Sequence, residues 1–142
     1  MKRFIYLSIL ALLAFSTTSN PVPNSKLIEA FGKEKVEFII KNNPQLIYYY
    51  NFYLDNVWYL SPLPQDKEKA QNIEGQVVLP LTSSGKVDKS KVNVLKLKIK
   101  RYYDKPSYYK IKNTSRLLVF LSEEKFNEKY NDYRRKLGLL KN

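Results

Sequence analysis

Cysteine and histidine are both absent from the 142 residues, and glycine appears only four times. Without histidine or cysteine the chain lacks the Ser-His-Asp and Cys-His triads, thiol redox centres, zinc sites of the Cys/His kind and histidine-ligated haem. Without cysteine it also has no disulfide, so stability has to come from burying its aliphatic side chains and its 14% aromatic residues. There is no glycine-rich phosphate loop, no internal repeat and no low-complexity tract. The site chemistry left open is that of carboxylates, lysines and tyrosines, and no motif calls for a cofactor or a metal.

The N-terminus has the order of a secretory signal. Lys2 and Arg3 come first, Phe4 to Phe15 is apolar apart from Tyr6 and Ser8, and Ser16-Thr17-Thr18-Ser19 is a run of small residues. A bilayer-spanning helix needs about 20 apolar residues, more than this stretch supplies. Small residues at the minus-three and minus-one positions place cleavage after residue 16 to 19. A lipoprotein anchor needs a cysteine, so none is expected. The expectation is a periplasmic or secreted protein whose mature part, residues 20–142, is a single α+β domain without a transmembrane span.

The formal charge is +12 and it is unevenly placed. Residues 20–85 hold six basic and seven acidic side chains, whereas residues 86–142 hold seventeen and six. The basic half is expected to present a cationic face.

Periodicity predicts an N-terminal helix pair, a small antiparallel β-meander of three to four strands and a C-terminal helix packed on the sheet. Asn24 or Ser25 caps a first helix carrying Leu27, Ile28 and Phe31, with Gly32 as a stop or kink before Val36, Phe38, Ile39 and Ile40. Asn43-Pro44 opens a second helix running to Asn56. Pro62 and Pro64 keep the segment from Val57 extended, and a helical turn is expected at 67–72. Val77 to Leu81 reads as a strand and Thr82 to Gly85 as a turn. Leu95, Leu97 and Ile99 alternate with Lys96, Lys98 and Lys100, the clearest period of two in the chain. Tyr108 to Lys112 is expected to return beside it, followed by Leu117 to Leu121 as a central strand. Ser122 caps the last helix, with Phe126, Tyr130, Tyr133 and Leu137 as its stripe.

Three sets of residues are candidates for function. Lys96, Lys98 and Lys100, with Arg101, Lys110 and Lys112 nearby, form a candidate anion-binding face. Like charges at cross-strand spacing repel, so such a face invites an anionic glycan or lipid headgroup. Lysines on an exposed strand also serve to block edge pairing. The second set, Tyr48, Tyr49, Phe52, Trp58 and Tyr59, is a candidate docking patch for an envelope protein, with core packing as its plainer explanation. The third, Glu123-Glu124-Lys125 with Asp104, has the outline of a metal-dependent nuclease element, but glutamates at a helix start are sufficiently explained by the helix dipole.

The stretches FGKEKVEFIIKNNPQLIYYYNFYLDN (31–56) and YYKIKNTSRLLVFLSEEKFNEKYNDYRRKLGL (108–139) resemble small uncharacterised exported proteins of the Bacteroidetes kind. They cover a little under half the chain. The resemblance is one of style and composition, carries no catalytic motif, and implies a periplasmic or outer-membrane-associated location. Together these readings order the expected functions. An exported, non-enzymatic envelope accessory protein that docks to another envelope component comes first. A binder of anionic glycan or lipid headgroup comes second, and a carboxylate-dependent hydrolase third. Nucleic acid is the least favoured partner of an exported chain without a recognised binding motif.

Overall fold

The computed structural model describes residues 20–62 and 72–140. The expected export segment and most of the expected turn at 67–72 lie outside these residues. The chain divides into two compact units, Met1–Asn51 and Phe52–Asn142.

In the first unit α1 (Ser25–Phe31) and α2 (Lys33–Asn42) are separate helices. Asn24 is the N-cap of α1, its side chain accepting from the Lys26 amide at 2.9 Å. Gly32 stops α1 rather than kinking it: at φ 89° it takes a conformation that L side chains rarely adopt, and its amide closes on the Ile28 carbonyl. Pro44 opens α3 (Pro44–Asn56), where its missing N–H costs nothing. Leu27, Val36 and Ile47, one from each helix, are fully buried. Asn51 fastens the extended leader by accepting from the Asn24 amide and donating to the Val22 carbonyl, both at 2.9 Å.

The second unit is built on a four-stranded sheet. Its strands are β1 (Trp58–Pro62), β2 (Ile73–Val77), β3 (Ser107–Ile111) and β4 (Arg116–Phe120), in the order β1-β4-β3-β2. The pairs β1/β4 and β3/β4 are antiparallel but β2/β3 is parallel, so the expected antiparallel meander is corrected to a mixed sheet. Leu117 to Phe120 are all completely buried, as their unbroken apolar run predicts for a central strand. The strand expected at Val77 to Leu81 lies earlier, at 73–77. Pro80 carries no N–H for a ladder, and Leu81 makes only an isolated bridge to Val87.

The larger correction concerns Leu95 to Ile99, which is not a strand. Asn93 accepts from the Leu95 amide and starts a short 3₁₀ turn at Val94–Lys96. The place beside β3 that this segment was expected to take is filled by β2. Residues 97–103 instead form a strap with partners of another kind. The Tyr109 hydroxyl accepts from the Lys100 amide at 2.6 Å and donates to the Lys100 carbonyl at 2.9 Å, doing for one residue what a neighbouring strand would do. The Tyr102 and Tyr103 carbonyls accept from the Glu123 and Glu124 amides at 2.9 and 3.0 Å, satisfying donors that a helix start leaves orphaned.

Helix α4 (Glu123–Lys136) runs between two well-formed ends. Ser122 accepts from the Lys125 amide, and Gly138 at φ 74° completes a Schellman motif with Leu139 bonded to Arg134. Phe126 and Tyr130 are buried, whereas Leu137, expected on the same stripe, lies past the last turn and is exposed. The Phe52 ring stacks on Tyr133 at 4.6 Å and lies 5.7 Å from Phe126 and from Tyr130, and Tyr53 meets Phe126 edge-on at 5.3 Å. No helix among the described residues is long and apolar enough to cross a membrane.

Candidate functional site

The strap keeps its alternation without being a strand. Lys96, Lys98 and Lys100 are exposed, while Leu95, Leu97 and Ile99 are half-buried. Tyr109 anchors the backbone at Lys100, and the start of α4 anchors it at Tyr102 and Tyr103. Lys100 stands over the Tyr102 ring at 5.0 Å and Lys105 stands over the same ring at 4.3 Å. The hydrogen bond to Tyr102 raises the Lys100 ammonium above its ordinary value, with the Glu74 charge adding to the effect. Lys105 and Tyr102 were not among the residues singled out from the sequence. The signal available was lysine next to aromatic in Arg101-Tyr102-Tyr103-Asp104-Lys105.

Arg101 takes no part in that exposed row. Its guanidinium lies 5.4 Å from the Tyr53 ring centroid and 6.0 Å from that of Phe126. It donates to the Leu121 carbonyl at 2.9 Å and to the Tyr53 hydroxyl at 3.3 Å, and its Nε is buried without an acceptor. No carboxylate among the described residues lies within ion-pair distance of it. Arg101 is therefore the fastener that sets the strap against α4 and Tyr53.

The other predicted cations go elsewhere. Lys110 follows Tyr109 directly on β3, so its side chain leaves the opposite face of the sheet from the one on which Tyr109 reaches the strap. Lys112 is exposed in the turn after β3. The anion-binding set therefore separates into a strap row of Lys96, Lys98 and Lys100, an inward Arg101, and Lys110 and Lys112 apart from them.

The aromatic set also separates. Tyr48 and Tyr49 are half-buried in the first unit, where Tyr49 packs edge-on against Tyr50 at 5.6 Å. In the second unit Phe52 belongs to the stack on α4. Trp58 is half-buried, with its indole N–H donated to the Leu54 carbonyl at 2.8 Å. Tyr59, on the edge strand β1, is 45% exposed. Burial raises the Tyr130 hydroxyl above the ordinary tyrosine value, against the lowering effect of the Arg134 charge over its ring.

The carboxylates do not converge. Glu123 and Glu124 occupy the exposed first turn of α4, where their backbone amides serve the strap, and Asp104 is an exposed turn residue. Among the described residues no group of acidic side chains is placed to hold a metal ion. A groove of about 440 Å³ lies between Gly85–Val87 and the β3–β4 turn, with Lys86 and Arg116 on its walls. Asn113 in that turn takes φ 65°, a left-handed conformation that asparagine tolerates. Compared with family models, curated proteins and solved structures, the chain matches none.

Proposed function

We propose that this chain is an exported, non-enzymatic binding protein of the cell envelope that takes an anionic glycan or lipid headgroup on its lysine strap. The observation that carries the reading is the exposure of Lys96, Lys98 and Lys100 on a segment whose backbone is anchored at Lys100. A flexible lysine loop loses entropy on binding, whereas here Lys100 is already held by Tyr109, and Tyr102 and Tyr103 by the amides of α4. Export is proposed from the charged, apolar and small-residue order of residues 1–19, and it directs the positive charge toward envelope anions rather than nucleic acid.

Co-sedimentation with anionic vesicles and with an acidic polysaccharide tests it. Binding is expected to fall steeply with salt and to be lost when Lys96, Lys98 and Lys100 all become Gln, with the melting temperature preserved. Binding that the triple variant retains in full would remove the strap from the function.

Docking of an envelope protein stands as a second reading because Tyr59 leaves a large aromatic surface exposed on an edge strand. Its signature is the opposite one: association that salt leaves intact and Tyr59→Ala removes.

A further inference from the structure

Glu74 is the residue that a simple anion site would not contain. It lies on β2, and its Oε2 accepts from the Tyr102 hydroxyl at 3.0 Å, on the same ring that Lys100 and Lys105 cover. Glu74 thus meets the Tyr102 hydroxyl while the two ammonium groups stand over the ring face, so one carboxylate acceptor and two cations are gathered about a single tyrosine. Beside Glu74 is a cavity of about 190 Å³ lined by Asn72, Glu74, Lys105, Pro106 and Tyr108. Its walls offer a carboxylate acceptor, an amide and an ammonium donor, and Pro106 with the half-buried Tyr108 supplies apolar surface.

A bare phosphate or sulfate gains from the lysines and is repelled by Glu74. A ligand that carries hydroxyl donors as well as a negative charge satisfies both: hydroxyls donate to the carboxylate while the anion meets the ammonium groups. A pyranose also has apolar ring faces, which suit Tyr108 and Pro106. We infer that the cavity between Glu74 and Lys105, with Lys100 on the Tyr102 ring that Lys105 also covers, binds one acidic sugar unit of a uronate-containing glycan. This rests on the anionic-ligand reading and narrows it to a saccharide.

Calorimetric titration of the full chain with a galacturonic acid trisaccharide tests the inference, beside maltotriose, inorganic phosphate and anionic phospholipid vesicles. The trisaccharide is expected to bind about tenfold more tightly than maltotriose or phosphate, which corresponds to one charge-assisted hydrogen bond's worth of discrimination. Glu74→Gln is the decisive variant. In a site that attracts only charge, removing a carboxylate strengthens anion binding. In the saccharide site it weakens trisaccharide binding by about tenfold, because a strong acceptor for hydroxyls becomes a weak one. Lys105→Gln, on an exposed turn, provides a second variant and is expected to weaken the trisaccharide more than it weakens maltotriose. Tighter binding by Glu74→Gln, or vesicles and phosphate matching the trisaccharide, overturns the saccharide inference and leaves the lysine strap standing. Absence of binding to trisaccharide, phosphate and vesicles alike overturns both.

Discussion

At the scale of single residues, the organising side chain is Tyr109. A buried phenol that both accepts from and donates to one backbone residue replaces two ladder hydrogen bonds, and its removal leaves two polar groups of Lys100 to find water. Tyr109→Phe is expected to lower stability by about 1–3 kcal/mol in urea unfolding. It is also expected to speed hydrogen exchange at the Lys100 amide well beyond the rest of the second unit. Unchanged exchange at that amide would mean that the strap is held mainly by Arg101 and the α4 amides. Arg101 shows how misleading residue type is by itself. In the sequence it follows a row of lysines and reads as one more cation, yet its planar guanidinium is suited to stacking on Tyr53 and Phe126, where an ammonium would be less well accommodated.

At the scale of elements, α4 was legible nearly residue by residue because its signals are local. Ser122 as cap, Glu123 and Glu124 in the first turn, Arg134, Arg135 and Lys136 in the last, and Gly138 as stop all act within a few residues of the chain. Its packing was less legible, because the rings that meet Phe126 come from Phe52 and Tyr53 far away in sequence. Phe126 is 1% exposed and touches both, so Phe126→Ala is expected to cost about 3–5 kcal/mol, read as a shift of the urea midpoint. A loss under about 1 kcal/mol would show that the stack relaxes into the space. The lysine segment failed for the converse reason. Period two reports which side chains face out, and it did so correctly for 95–100. It does not report what the backbone bonds to, and here the local Asn93 turn and the rival strand β2 decided that.

For the whole molecule, the dominant fact is the concentration of positive charge in residues 86–142. The ion pairs Lys91–Asp88, Lys125–Glu128 and Arg135–Asp132 join residues three apart on the surface, and such pairs contribute little. Seventeen basic against six acidic side chains in this segment leave a large net positive charge. Self-repulsion therefore opposes folding while the same field attracts anions. Raising sodium chloride from roughly 20 to roughly 200 mM shortens the screening length, so the melting temperature is expected to rise by a few degrees while ligand affinity falls. The two trends having the same sign, with scanning calorimetry and titration run in the same buffers, would separate the stability of the fold from the charge of the strap.

The sequence by itself determined what depends on neighbours along the chain: the α+β class, the helix starts and stops, the buried run of β4, and the outward alternation of Lys96, Lys98 and Lys100. Only the tertiary structure decided which strand lies beside β3, that the lysine segment is a strap fastened by a phenol and a helix start, and that Arg101 turns inward. It also brought Glu74 to the ring that carries Lys100 and Lys105. The physical reason is that capping, turns and side-chain periodicity act over a few residues. Strand partnership and the meeting of charges across a ring are instead settled by competition among segments tens of residues apart.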